Sequence, residues 1–424
     1  MTHIIKNFDA LATTPLRRDA LAIAEAAYAA IDTDAVLRGA LALDGDTLVA
    51  GGFRYDLTQY DRVRVIGFGK ASCKAVQTIE SILKERIAGG IAIDIHPGTC
   101  DIVTIEAGTH PAPSPGNVAA SERIVAMAQD ASDRDLYLVV ISGGGSSLFC
   151  YPYDECDQGA RLYEDFKKTP ATIEEMNTVR KHISQVKGGG LAAMLAPASV
   201  LGLVFCDVPG DHFEDVASGP TYLDATTVAD AQRVLDKYGL TGYALGETPK
   251  DPTLFRSVRN IPVISNTRAL DAMSAKAREL GYEPHIIGNA LYDETAQLAQ
   301  KMRAALAPTK KEKSAVIAGG EPRLVVDKEG GKGGRNQYTA LRALETIGED
   351  EILIAFASDG RDNCDVAGGI ADRETLRKAR AQGLSTLVAL ESFDTYTFFE
   401  KTGDLVMTGP TDANVSDLFV MLRG

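Results

Sequence analysis

The sequence predicts an α/β protein of two domains, each a mostly parallel sheet flanked by helices, arranged around a central cleft. Three observations predict it. Short, continuous apolar runs recur along the chain, as strands buried on both faces require. Most of these runs empty into a polar turn rich in glycine or aspartate. A helical pattern follows several of those turns, giving the alternation of a doubly wound sheet. At 424 residues the chain also exceeds one ordinary core, given roughly 150 residues per domain.

Taken in order, Thr14-Pro15 with Leu16, Ala20, Ile23, Ala27 and Ile31 predicts an amphipathic helix: threonine caps it, proline suits its first position and the apolar residues share a face. Arg62-Val-Arg-Val-Ile66 is a strand that runs into Gly67-Phe-Gly-Lys-Ala-Ser72, with a helix resuming at Cys73. Leu136-Tyr-Leu-Val-Val-Ile141 empties into Ser142-Gly-Gly-Gly-Ser-Ser147, and Val200-Leu-Gly-Leu-Val-Phe205 into Cys206-Asp-Val-Pro-Gly-Asp211. Pro262-Val-Ile-Ser265, a helix bearing Leu270, Met273 and Ala277, and His285-Ile-Ile-Gly288 make another strand-helix-strand unit. The last third repeats the alternation at Ser314-Ala-Val-Ile-Ala318, Ile352-Leu-Ile-Ala-Phe356 and Asp404-Leu-Val-Met407. Strand signals weaken over 224–260, so the domains are expected to span 1–240 and 241–424.

A net charge of −14 argues against binding to a nucleic-acid backbone, which needs a basic surface. A small anion in a local basic pocket remains compatible with it. The six cysteines are scattered without C-x-x-C or zinc spacing and are read as free thiols. The N-terminus carries no signal-peptide core, and the most apolar stretch, 191–205, is too short to span a bilayer and is broken by Pro197. A cytoplasmic protein without nucleic-acid or membrane partners, monomeric or homodimeric, is expected.

Ligands of open parallel sheets bind beyond the carboxyl ends of the strands, where these polar turns fall. Gly143, Gly144 and Gly145 let backbone N–H groups approach phosphate oxygens closely, with Ser146 and Ser147 adding hydroxyls. Lys70 stands at the mouth of a similar turn, although that turn fits neither the P-loop nor the dinucleotide fingerprint. Gly333 and Gly334 precede Arg335, whose planar fork suits carboxylate or phosphate. Asp207 and Asp211 are candidate Mg²⁺ ligands, as are Asp359 and Asp362, whereas any single aspartate in a turn is commonly structural. The stretch Asn177-Thr-Val-Arg-Lys-His182, then Lys187, forms a basic cluster suited to anions; His182 itself reads as a packed histidine.

Together these motifs resemble the glycerate 2-kinases, the class II glycerate kinases with a C-terminal MOFRL-type domain. The matching pieces are Ile66-Gly-Phe-Gly-Lys-Ala-Ser72, His110-Pro111, Ile141-Ser-Gly-Gly-Gly-Ser-Ser147, Glu175-Met-Asn-Thr-Val-Arg-Lys-His182 and Asp207-Val-Pro-Gly-Asp211. Ala217-Ser-Gly-Pro-Thr221, Gly319-Gly-Glu321, Gly333-Gly-Arg-Asn-Gln337, Ser358-Asp-Gly360, Thr408-Gly-Pro-Thr411 and Asn414-Val-Ser-Asp-Leu418 complete the set, in family order over nearly the whole chain. The resemblance implies ATP-dependent phosphorylation of D-glycerate, at the 2-hydroxyl, with Mg²⁺. Lys70 and Arg335 would act in catalysis, with Asp207 holding Mg²⁺ or steering the hydroxyl and Asp211 as a second ligand. Residues 149–156 and 166–170 depart from the family pattern, as do Arg361-Asp-Asn363 and Asp412-Ala-Asn414. These changes bear on the substrate, so a kinase of another small sugar acid and a non-catalytic metabolite-binding homologue stand as alternatives. Members also carry the label hydroxypyruvate reductase, against which the missing dinucleotide fingerprint argues.

Overall fold

A computed structural model describes residues 3–306, 313–327 and 329–424 of the chain. It divides into two compact units: 33–208 with 212–264, and the chain up to Asp32 with 209–211 and 265–424. No helix among the described residues is long and apolar enough to cross a membrane.

The first unit opens with a three-stranded antiparallel sheet, β1 (Leu41–Asp44), β2 (Thr47–Ala50) and β3 (Phe53–Asp56). Its main sheet comprises β4 (Arg62–Phe68), β5 (Ile87–Asp94), β6 (Val103–Ala107), β7 (Asp135–Ser142), β8 (Ser199–Phe205) and β9 (Val258–Ile264). All neighbours in this sheet are parallel, in the order β6-β5-β4-β7-β8-β9. Every residue of β7 is buried, which explains its unbroken apolar run. Beneath the carboxyl ends of β4 and β7 the rings of Phe68 and Phe149 stack with centroids 4.6 Å apart. The chain leaves β4 toward β5 and β6, then returns to place β7 on the other side of β4. The crevice of such a sheet opens at that reversal, between the carboxyl ends of β4 and β7.

The second unit holds β10 (Glu283–Leu291), β11 (Ser314–Gly320), β12 (Glu351–Ala357), β13 (Gly368–Asp372), β14 (Leu405–Val406) and β15 (Asp417–Arg423). Their order is β10-β11-β15-β12-β13-β14, and only β10 and β11 pair in parallel. The expectation of a mostly parallel sheet therefore holds for the first unit and is corrected for the second. The physical reason lies in the connections: 358–367 carries no crossover helix, so β13 returns antiparallel to β12. The C-terminal β15 then fills the gap between β11 and β12, antiparallel to both.

The expected division at 240/241 also differs from the compact units. Residues 241–264 stay with the first unit because β9 pairs with β8. The N-terminal helix Pro15–Ala30 forms as expected, with the Thr14 hydroxyl accepting from Arg17 N–H at 3.2 Å and proline at its start. It belongs to the second unit, where Arg17 is fully buried. The Arg17 guanidinium donates to both oxygens of Asp372 at 2.6 and 2.7 Å and to Asp404 at 2.7 Å.

Candidate active site at the switch point of the parallel sheet

The turn after β4 and the turn after β7 are stitched together. Lys70 N–H donates to Gly143 C=O at 2.9 Å, and Ala71 N–H to the Ser142 hydroxyl at 3.2 Å. Gly69 has φ +119° and packs on Ser142, where a Cβ would sit 2.1 Å from the hydroxyl oxygen. Both turns thus need glycine to come this close. Beyond β8, the Asp207 carboxylate lies against the same loop: a Cβ on Gly143 would be 1.9 Å from its Oδ2. The structure therefore brings together Lys70, Asp207 and the loop of Gly143, Gly144, Gly145, Ser146 and Ser147, three separate sequence motifs.

The loop ends in the short helix Gly145–Leu148, whose first amides have no intrahelical acceptor. Gly144, at φ +80°, leaves room for its neighbours: a Cβ there would be 3.1 Å from the His110 ring and 3.2 Å from the Lys70 stem. Ser147 donates to Pro111 C=O at 2.6 Å, while the Ser146 and Ser218 hydroxyls share a bond of 2.9 Å. Ser218 donates on to Asn177 Oδ1 at 3.3 Å, which also accepts from Arg180 Nη1 at 2.9 Å. Desolvation, with Lys70 and Arg180 nearby, pushes the His110 imidazole down to about 4, so it is neutral at pH 7.

The charges here are unequal in their commitments. Lys181 pairs with Asp224 at 3.4 Å and Asp215 at 3.7 Å. His182 is buried, with Nδ1 3 Å or less from Thr178 C=O (2.8 Å) and Nε2 facing Glu247 at 3.3 Å, the packed histidine expected. Lys187 is fully buried, paired with Glu155 and donating to Phe149 C=O at 3.0 Å. Among the described residues, no carboxylate lies within 4.0 Å of the Lys70 ammonium or of the Arg180 guanidinium. Sequence reasoning recognised the basic cluster but not Arg180 within it, because the carboxylates that occupy its neighbours come from distant segments. His110, Asn177 and Ser218 were likewise legible only as family motifs.

The remaining candidates belong to the second unit. Arg335 donates through Nε to Asp417 and lies 3.5 Å from Glu321. Burial pushes the Asp417 carboxyl up to about 7, against the opposing effect of Arg335. Asp362 is buried and accepts from the backbone N–H groups of Asn336 and Gln337 at 2.9 and 2.8 Å. It caps the helix Arg335–Ala343 from a neighbouring loop, which corrects its reading as a metal ligand. Gly333 and Gly334, expected to touch a cofactor, answer to packing: a Cβ would fall 2.0 Å from Thr395 Oγ1 in the first case and 2.2 Å from Asp362 Oδ1 in the second. Asp211 sits at φ +59°, and its Oδ1 is buried with no hydrogen-bond partner. Such an orphaned carboxylate oxygen has the acceptor chemistry that a hard cation such as Mg²⁺ takes.

An all-parallel sheet in this strand order, with a glycine loop at its switch point and two cations there that meet no carboxylate within 4.0 Å among the described residues, is the arrangement of an α/β protein that holds a small ligand. Residues 19–248 match the family described as domain of unknown function DUF4147, and 314–417 match the MOFRL family. A D-glycerate 2-kinase of Thermotoga maritima is 35% identical, covering 85% of this chain and 91% of its own. A crystal structure of glycerate kinase from the same organism aligns with a TM-score of 0.84 at 32% identity, over 95% of this chain and 98% of the other. A putative hydroxypyruvate reductase of Agrobacterium vitis is 34% identical, over 86% and 87% of the two chains. The chain belongs to the glycerate 2-kinase family and is an enzyme of the kinase class.

Proposed function

We propose that this protein transfers the γ-phosphoryl group of ATP to the 2-hydroxyl of D-glycerate, with Mg²⁺. The observation that carries this reading is the presence beside the 143–147 loop of cations that meet no carboxylate among the described residues, in a chain of net charge −14. Phosphoryl transfer depends on positioning and charge neutralisation, which such a site supplies. The loop amides and Lys70 would hold phosphate oxygens, Lys70 as a point charge on the transferred group. His110, uncharged at neutral pH, leaves that field to the lysine and arginine. Asp207 would hold Mg²⁺, which would supply charge neutralisation for the phosphates. Asp207 alternatively steers the acceptor hydroxyl.

A reductase reading draws on the strand order, which dinucleotide-binding folds share, and on the relative's name. One acid argues against it. In such folds a carboxylate at the end of the second strand meets the ribose. Here that residue is Asp94, which is buried and accepts from Cys73 N–H at 2.8 Å and His96 N–H at 3.0 Å. The test is phosphorus NMR of the product formed from Mg-ATP and D-glycerate, with NAD(P)H oxidation by hydroxypyruvate measured beside it. A 2-phosphoglycerate signal without NAD(P)H oxidation is expected. A 3-phosphoglycerate signal overturns the regiochemistry, NAD(P)H oxidation the kinase. Turnover of another sugar acid instead would point to the altered 149–156 segment.

A further inference from the structure

We propose that Arg180 is the residue that binds the carboxylate of the acceptor substrate, held in place by Asn177 and through it by Ser218 and Ser146 of the glycine loop. This assignment deepens the phosphoryl-transfer reading above and rests on it.

Four cationic or titratable side chains cluster along Arg180-Lys-His182 and at Lys187. Three have internal commitments: Lys181 to Asp215 and Asp224, His182 through Nδ1 to Thr178, Lys187 to Glu155. Arg180 alone faces no carboxylate within 4.0 Å among the described residues. Of its five N–H donors, one reaches the Asn177 amide oxygen and another a weak acceptor, the Met176 sulfur, at 3.4 Å. The guanidinium is half-buried, and desolvation pulls its pKa down to about 10, with Glu155, the carboxylate that opposes this effect, already paired to Lys187. A half-buried cation that meets no counterion among the described residues is a costly arrangement that an incoming anion relieves.

Two anions must be held in the proposed reaction, a phosphate chain and a carboxylate. The backbone amides and Lys70 suit phosphate oxygens, while the planar fork of arginine matches a carboxylate in two places. The chain of hydrogen bonds from Arg180 through Asn177 and Ser218 to Ser146 ties the guanidinium to the glycine loop, on the same side of the site as the reacting phosphate.

The experiment compares the wild type, Arg180→Gln and Arg180→Lys. D-glycerate and its carboxamide, glyceramide, are titrated by calorimetry without nucleotide, and KM for D-glycerate and for ATP is measured separately. The wild type is expected to favour the acid over the amide by at least about tenfold, as loss of a charge-assisted pair implies. Arg180→Gln should raise KM for D-glycerate by about tenfold to a hundredfold, leave KM for ATP unchanged and abolish the preference for acid over amide. Arg180→Lys should fall between, because it keeps the charge and loses the fork; it carries the test if Arg180→Gln does not fold. A folded Arg180→Gln protein that binds D-glycerate as the wild type does, or whose defect falls on ATP, overturns the assignment. If the wild type turns over a different hydroxy acid, only the choice of glycerate fails, and the same KM loss must then appear for that acid. A wild type silent toward every hydroxy acid overturns both readings.

Discussion

At the scale of single residues, Lys70 and Gly143 carry the account of the site. Lys70→Ala should fold normally and lose about a hundredfold to a thousandfold in turnover, the usual effect of deleting one group that stabilises transition-state charge; steady-state ADP release measures it. Gly143→Ala introduces a methyl group on top of the Asp207 carboxylate. It should therefore reduce turnover even though neither Lys70 nor Asp207 is altered. Asp417 makes a pH-dependent prediction. Its folded-state pKa is raised to about 7 by burial, so the stability it contributes is full below about pH 4, the ordinary carboxyl range, and is lost as pH rises through about 7. Relative to Asp417→Asn, the wild type should lose unfolding free energy between about pH 4.5 and about pH 7.5 in urea titrations. A difference that stays constant across that range would show that the Asp417 carboxyl titrates normally.

Elements decide which of these residues meet, and here the sequence was legible unevenly. The strands of the parallel sheet are continuous apolar runs ending in glycine turns, because burial on both faces leaves little else allowed. The turns after β4, β7 and β8 were therefore visible. Strand direction in the second unit was not visible, since an antiparallel central strand buried on both faces has the same apolar run. The β1–β3 sheet was missed although Asp44-Gly45 and Gly51-Gly52 mark its turns, with φ +59° at Gly45 and +54° at Gly51. Arg335 and the 333–334 glycines were found for a cofactor, yet what demands glycine at 334 is Asp362 capping the next helix. Gly334→Ala should consequently destabilise the second unit by about 1–3 kcal/mol through overpacking, read as a lower midpoint in chemical denaturation. An unchanged midpoint would mean that the Asp362 cap yields without cost.

For the whole molecule, the division of the chain follows contacts rather than sequence order. The N-terminal helix belongs with the C-terminal sheet because Arg17 is buried against Asp372 and Asp404. Lys378 also reaches Asp404 at 2.8 Å, so Asp372 loses most if Arg17 is removed. Arg17→Met should cost about 3–5 kcal/mol, the penalty for leaving a buried carboxylate without its partner. No pattern in the first 32 residues announces this, since a buried arginine looks like any other helical cation until its partners, more than three hundred residues away, are known.

The central claim is that the switch-point cations of the first unit serve phosphoryl transfer to a small hydroxy acid. Its most direct measurement is ADP release from Mg-ATP by the purified protein with D-glycerate, with L-glycerate or with no acceptor. The account predicts release that depends on D-glycerate and disappears in Lys70→Ala. A folded protein that binds ATP but releases no ADP with D-glycerate, or releases it equally without acceptor, would contradict the account.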